Sequence, residues 1–218
     1  FRKLSITKLP DESKRVGEIG NNNFVAKTHE YNQNLINKFI NTLLRPNDWF
    51  DDEKIGQIHM ELPFKQEEII QLINEVKPLI EQEQSLVKIR SPCKVIGNIY
   101  GTYNDLMRYF ESYGNPSDSM QNGDIHIMQY IFLGNFCDKG IYSLEVIFLL
   151  FALKVKYPNF IYIIRGYHED RNINEINGLG YECKVRLNEE ISGKNSIFNL
   201  INNVFDLLPF GVLVDNSM

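Results

Sequence analysis

Three short apolar segments that each end in a glycine constrain the fold of this chain most. The segments are "CKVIG", "YIFLG" and "YIIRG", and they end at Gly97, Gly134 and Gly166. A stretch with helical periodicity follows each of them. Alternation of apolar strand, glycine turn and helix is typical of a parallel sheet with crossover helices. The sequence therefore predicts an α/β fold with a βαβαβα core.

Helical periodicity also precedes this core. Apolar residues recur at helical spacing from Asn32 to Leu44, and a second helix is predicted from Gln66 to Ile80, with Pro78 disturbing its last turn. Within the core, helices are predicted at Asn104–Tyr113, Ser143–Lys156 and Asn172–Leu187. The expected organisation is a flexible arm or linker at 1–30, a helical part at 31–85 and the core at 86–218.

Composition excludes several classes of protein. A net charge of −5 argues against a nucleic-acid binder, which needs clustered Lys and Arg. The longest apolar run, "VIFLLFAL", is far shorter than the roughly 20 residues of a membrane span, so it predicts a buried helix and no membrane association. Three cysteines without CxxC spacing indicate neither a disulfide framework nor a zinc knuckle, and favour a reduced cytoplasmic or nuclear location.

The residues after the three glycines are candidates for a functional site. Glycine allows a sharp turn, and in parallel sheets ligands gather where the carboxyl ends of the strands turn into loops. Asn98, Asn135 and Tyr167 are therefore expected to converge there. They are predicted to be joined by the following loop residues: Tyr100, Asp138, Lys139 and His168.

The strings that carry these residues resemble a known family. "GNIYG", "GNFCDKG" and "RGYHE" are similar to the GDxHG, GDxVDRG and GNHE motifs of the metal-dependent Ser/Thr phosphoprotein phosphatases. "INTLLRPNDW", "YNDLMRYFESYGNPS" and "LINNVFDLLPFGVLV" resemble its Kelch-repeat-linked subgroup especially. The resemblance covers roughly residues 32–215. It implies the N-terminal half of a calcineurin-like metallophosphoesterase β-sandwich flanked by helices, with an N-terminal helical subdomain.

The family resemblance implies a two-metal hydrolase, but the ligand positions of this chain are changed. They correspond to Asn98, Tyr100, Asn135 and Tyr167, where the family has aspartate, histidine, a bridging aspartate and asparagine. A neutral amide at the bridging position does not offset the repulsion of two dications. A phenol of pKa about 10 replaces an imidazole. We therefore expect no metal cofactor, or two divalent ions (Mn, Fe or Zn) if the chain is an active phosphatase.

Other family positions are retained. Asp138 and His168 match the aspartate–histidine acid pair, in which histidine protonates the leaving group. Arg165 matches a phosphate-binding position, and Lys139 replaces a second phosphate-binding arginine by a point charge. The resemblance thus implies that these residues could still attract an anion.

Several side chains allow two interpretations. His168 either keeps a functional role or bonds Asp138 for structural reasons. The rings of Tyr100 and Tyr167 are expected to refill a vacated metal cavity, and the alternative is a tyrosinate that ligates ferric iron. Cys137 is either a reactive thiol near Lys139 or a small buried apolar residue.

Three functions are compatible with these patterns. The leading hypothesis is a catalytically degenerate pseudophosphatase that acts as a binding or scaffold module, with a phosphoprotein as a possible ligand. The alternatives are an active phosphoserine/phosphothreonine phosphatase and an inactive fragment. The family continues beyond "FGVLVDNSM", so we expect an open apolar sheet edge that a protein partner or a completing chain would cover.

Overall fold

The computed structural model describes residues 22–46 and 62–215, with side chains from residue 32. Leu35 begins a compact unit that holds all strands of the described chain, and the first turns of the first helix belong to a second unit. The arm predicted at 1–30 lies mostly outside the described residues, and the other predicted boundaries stay predictions. The helices are α1 (Asn22–Leu43), α2 (Gln66–Glu81), α3 (Tyr103–Tyr113), α4 (Ser143–Lys156), α5 (Arg171–Asn177), α6 (Leu179–Arg186) and α7 (Ile197–Phe205), with a 3₁₀ turn at Tyr167–Glu169.

The strands form two small parallel sheets. They are β1 (Leu86–Ile89), β2 (Cys93–Ile96), β3 (Gln129–Phe132), β4 (Ile161–Ile163) and β5 (Gly211–Val214). One sheet has the order β2–β3–β4, and β1 pairs with β5 in the other. In the larger sheet Val95 lies opposite Ile131, which lies opposite Tyr162. The three glycine-ended segments therefore pair in parallel, and the predicted α/β fold is confirmed.

Helix α4 is the centre of the core. Its residues from Ser143 to Lys154 are all buried. The apolar run "VIFLLFAL" predicts this for its own eight residues, and the polar Ser143, Glu145 and Lys154 are buried as well. It packs beside α2 and β4 in a single apolar cluster that also includes Phe39 of α1 and Phe205 of α7. Across the described ranges, no helix combines the length and the apolar character that crossing a membrane requires.

The two sheets share a buried apolar face. Val87 and Ile89 of β1 pack with Ile131 of β3 and Ile164, the residue after β4. Through this contact the two-stranded sheet packs on one face of the three-stranded sheet. Helix α4 packs with the buried residues of the opposite face. The helices and the stacked sheets place the carboxyl ends of β2, β3 and β4 side by side.

The structure corrects the predicted helix bounds in two places. Helix α1 begins at Asn22, ten residues before the prediction, because its first turns carry no apolar periodicity that would reveal them. Helix α2 matches its predicted bounds to within one residue, since it ends at Glu81. Pro78 lies inside its last turns and is exposed, so water can reach the backbone around it. The single helix predicted at Asn172–Leu187 is two helices separated by Gly178, whose φ of 158° is not helical.

Candidate functional site

The turns after β3 and β4 touch backbone to backbone. Gly134 has a φ of 96°, and a Cβ placed on it would lie 2.3 Å from the backbone nitrogen of Gly166. Only glycine permits both this backbone conformation and this approach. Two of the three glycines that marked the strand ends in the sequence, Gly134 and Gly166, are therefore required by the contact between the two turns, whereas a Cβ on Gly97 would meet no atom within 4 Å.

Backbone hydrogen bonds join the turn after β2 to the turn after β3. The amides of Ile99 and Tyr100 donate to the carbonyl of Asn135 at 3.0 and 2.8 Å, and the amide of Gly101 donates to Phe136 at 2.8 Å. These bonds set the position of Tyr100 relative to Asn135. The predicted convergence of the three loops is thus observed.

The carboxylate of Glu169 joins the turns after β3 and β4 by hydrogen bonds. It accepts hydrogen bonds from the backbone amides of Asn135 at 2.7 Å, Phe136 at 2.8 Å and Gly166 at 2.8 Å. Its side chain is fully buried. Burial raises the pKa of Glu169, and the three amide donors oppose that shift.

Two of the substituted ligand positions bond to each other. Asn135 donates its Nδ2 to Oδ1 of Asn98 at 2.8 Å, and its Oδ1 accepts from the backbone amide of His168 at 3.0 Å. Both ends of the Asn135 amide are therefore engaged within the protein. The residue at the position of the family's bridging carboxylate acts here as a bridge of hydrogen bonds between loops.

The other two substituted positions place aromatic rings around His168. The rings of Tyr100 and His168 have centroids 5.2 Å apart and those of Tyr167 and His168 5.5 Å apart, both edge to face. Tyr100 is half-buried, but Tyr167 is 69% exposed. The expectation that the ring of Tyr167 fills a vacated cavity is therefore wrong, because the turn at Tyr167–Glu169 directs it to solvent.

Asp138 and His168, the two residues that match the family's acid pair, are in contact. Nδ1 of His168 lies 2.6 Å from Oδ2 of Asp138, and both residues are buried. The second oxygen of Asp138 accepts from the backbone amide of Leu179 at 2.9 Å, at the start of α6. Because Nδ1 is held by the carboxylate, Nε2 is the ring nitrogen that a ligand could reach.

Residues that the sequence analysis did not single out support Asp138. Its amide donates to Oγ of Ser143 at 3.1 Å, and the amide of Ser143 donates to Glu182 at 2.9 Å. Arg186 forms ion pairs with Glu182 and Glu145. Burial raises the pKa of Glu182. No local sequence signal marks this support, because Ser143 and Glu182 are 39 residues apart in the chain.

The two predicted cationic residues have different surroundings. The ammonium of Lys139 lies 3.7 Å from the centroid of the Tyr100 ring, in a cation–π contact beside His168. Arg165 instead bonds Oδ1 of Asp206 at 3.0 Å, just beyond the end of α7. Lys139 is therefore the cation that the loops place against the ring beside His168, and Arg165 is neutralised by a carboxylate.

Four non-glycine residues of the site have positive φ. They are Tyr100 at 52°, Asn135 at 55°, Asp138 at 70° and Lys139 at 59°. Such φ values are uncommon for residues other than glycine. They cluster at active sites and ligand-binding sites, where the surrounding structure holds the strained backbone in place. The site therefore keeps costly backbone geometry although its metal-ligand positions have changed.

Cys137 is a buried apolar residue. Its side chain is fully buried, and its Sγ lies 3.4 Å from the carbonyl oxygen of His168. Burial, together with the nearby carboxylate of Glu169, raises the pKa of this thiol well above its ordinary value. Of its two interpretations, the structure therefore confirms the packed residue.

The residues present do not fit a pair of divalent ions. Over residues 22–46 and 62–215, no group of three or more His, Cys, Asp and Glu side chains is placed to hold a metal. Asn98 and Asn135 supply amides that already bond each other. Two dications need anionic oxygen ligands to offset their repulsion. The four residues at the family's ligand positions, which are Asn98, Tyr100, Asn135 and Tyr167, supply no carboxylate.

Comparisons with known proteins find matches that include the residues of this site. A family model described as calcineurin-like phosphoesterase matches residues 91–217. The chain is 32% identical over 222 residues to serine/threonine-protein phosphatase BSL2 of Arabidopsis thaliana, which covers all of this chain and 21% of that protein. It is 33% identical over 168 residues to serine/threonine-protein phosphatase SIT4 of Candida albicans, which covers 77% of this chain and 50% of that protein.

A solved structure shows the same fold. It is a protein serine/threonine phosphatase from Saccharomyces cerevisiae with similarity to human phosphatase PP5. The TM-score is 0.61 at 28% identity, over 70% of this chain and 46% of that chain. The chain thus spans between a fifth and a half of the length of these relatives.

Proposed function

Because this chain belongs to the calcineurin-like phosphoesterase family and is a Ser/Thr protein phosphatase-family domain, we propose that it is a pseudophosphatase that binds phosphorylated protein segments without hydrolysing them. The observation that carries the proposal is the amide of Asn135. At the position of the bridging carboxylate, it is bonded on one side to Asn98 and on the other to the amide of His168.

Loss of hydrolysis follows from the chemistry of the four positions. A two-metal site holds its ions about 3.5–4 Å apart and needs a shared anionic ligand to do so. Loss of even indirect support around a metal ligand costs 10–100-fold in affinity. Replacement of aspartate, histidine, aspartate and asparagine removes the direct ligands themselves. Without metals, the acid pair of Asp138 and His168 has no activated water to work with.

Retention of anion binding is supported by the groups that remain. Lys139 supplies an exposed ammonium held on the ring of Tyr100. Asn98 accepts with its oxygen, so its NH₂ group remains a donor at an exposed position. These two donors lie on neighbouring loops, Asn98 after β2 and Lys139 after β3. Charge-assisted hydrogen bonds of this kind suit a phosphate group.

A polypeptide partner is also part of the proposal. Val95 on β2 is 52% exposed, and Leu133 and Phe210 are 43% and 71% exposed. These apolar side chains lie on or beside strand ends, where an added chain segment would remove them from water. We infer that a protein, or a further part of the same chain, covers them.

The proposal is tested by restoring the ligands in the full-length protein. The restored variant carries Asn98→Asp, Tyr100→His, Asn135→Asp and Tyr167→Asn. A matched control carries the same kinds of substitution at exposed remote positions, namely Asn122→Asp, Tyr113→His, Asn159→Asp and Tyr181→Asn. Bound Mn, Fe and Zn are measured by mass spectrometry, and hydrolysis is measured on phosphoserine and phosphothreonine peptides.

We expect metal and turnover in the restored variant only. Stoichiometric metal and turnover in the unmodified protein would establish the active-phosphatase alternative instead. If the unmodified protein has neither metal nor any phosphopeptide affinity, the inactive-fragment alternative is the better account.

A further inference from the structure

Tyr167 presents an aromatic surface to solvent at the site. Its side chain is 69% exposed, although it follows a strand end and belongs to an ordered turn. The ring stands edge to face with His168 at a centroid distance of 5.5 Å. An exposed ring held in this way offers a face on which a planar group of a ligand can stack.

The donors for an anion lie beside that ring. His168 stands between the rings of Tyr167 and Tyr100, and the ammonium of Lys139 rests on Tyr100. Asn98 is joined to the same group through Asn135, which bonds the backbone of His168. A phosphate that reaches these nitrogens therefore has an exposed aromatic ring next to the side chain that carries it.

We propose that the site prefers phosphotyrosine to phosphoserine, with Tyr167 as the residue that decides the preference. The inference rests on the proposed function, because it assigns the kind of phosphorylated side chain that the site binds. A phosphotyrosine can stack its ring against Tyr167 while its phosphate meets Lys139 and Asn98. A phosphoserine brings only a methylene group, so the surface of Tyr167 stays in water.

The size of the preference follows from the value of an aromatic pair. Such pairs contribute enough beyond simple burial to change a binding constant by roughly 2- to 12-fold. The effect is confined to the ratio of the two affinities, since Lys139 and Asn98 meet the same phosphate in both ligands.

The test compares three peptides of one sequence, carrying phosphotyrosine, phosphoserine or unmodified tyrosine. Their affinities for the full-length protein are measured by fluorescence anisotropy at one fixed salt concentration, because phosphate contacts are screened by salt. The variants are Tyr167→Ala and, as a matched control, Tyr181→Ala. Tyr181 is equally exposed, at 67%, but lies on α6. Thermal unfolding of each variant verifies that it is folded.

We expect the phosphotyrosine peptide to bind about 2- to 12-fold more tightly than the phosphoserine peptide. The ratio should fall to about one in Tyr167→Ala and persist in Tyr181→Ala. Equal affinities in the unmodified protein, or a ratio that survives Tyr167→Ala, overturn the preference and leave the proposed function standing. If neither phosphopeptide binds better than the unmodified tyrosine peptide, both proposals are wrong.

Discussion

Glu169 is the residue whose substitution best tests how the site is held together. Its buried carboxylate accepts three backbone hydrogen bonds, two through Oε2 from Asn135 and Gly166 and one through Oε1 from Phe136. Glutamine keeps the shape but has only one acceptor oxygen. In Glu169→Gln the remaining oxygen can accept from the amides of Asn135 and Gly166. The NH₂ group of the glutamine then faces the amide of Phe136, which is left without an acceptor.

The expected losses follow from the number of donors left unpaired. A buried donor without a partner costs about 1–3 kcal/mol, so Glu169→Gln should destabilise the protein by about that amount. Glu169→Ala leaves three donors unpaired and opens a cavity, and we expect it to cost about 3 kcal/mol or more. Neutralisation also removes the cost of burying a charge, which acts against this loss in Glu169→Gln.

Urea unfolding followed by circular dichroism measures the free energies, with Glu190→Gln, an exposed glutamate, as the control expected within about 0.5 kcal/mol of the unmodified protein. Amide hydrogen exchange adds a local test, because protection of Asn135, Phe136 and Gly166 should fall before that of α4. If Glu169→Gln matches the control in stability and exchange, the three hydrogen bonds do not hold the loops.

Two further substitutions test the support of the loops. Gly134→Ala should cost about 3 kcal/mol or more, because its φ of 96° and a contact of 2.3 Å to the backbone of Gly166 force the turns apart. Gly97→Ala, which has no atom within 4 Å of the added Cβ, is the control, and equal stabilities by urea unfolding would contradict this reasoning. Burial raises the pKa of Glu182 above its ordinary 4.5, so the folded state holds that proton more tightly than the unfolded state. Stability should therefore fall as pH rises from about 4.5 through the raised folded pKa, and Glu182→Gln should reduce this fall; unchanged pH profiles of unfolding would refute it.

The sequence predicted much of the fold because its patterns are local. The apolar run of α4 and the strand segments before Gly97, Gly134 and Gly166 are read from neighbouring residues. The same patterns missed the start of α1 and the break at Gly178. Apolar periodicity reveals neither feature. The first turns of α1 are mostly polar and have no apolar period, and a single glycine also occurs within continuous helices.

The sequence predicted which residues form the site, but it did not predict how their side chains are placed. The family resemblance and the strand-end glycines predicted that Asn98, Asn135 and His168 lie close together, and hydrogen bonds join them in the structure. The sequence did not predict the exposure of Tyr167. The backbone conformation of the turn decides whether the ring points into a cavity or into solvent, and that conformation depends on the tertiary structure. The pairing of Arg165 with Asp206 likewise depends on where α7 ends.

By itself, the sequence determined the family, the alternation of strands β2 to β4 with helices, and the loss of anionic groups at the ligand positions. Those properties depend on which residues are present and on their spacing. Only the tertiary structure decided that the Asn135 amide closes a bridge between Asn98 and His168, and that Lys139 rests on Tyr100. Hydrogen bonds and ring contacts act over a few ångströms, so they exist only once distant parts of the chain have been packed side by side.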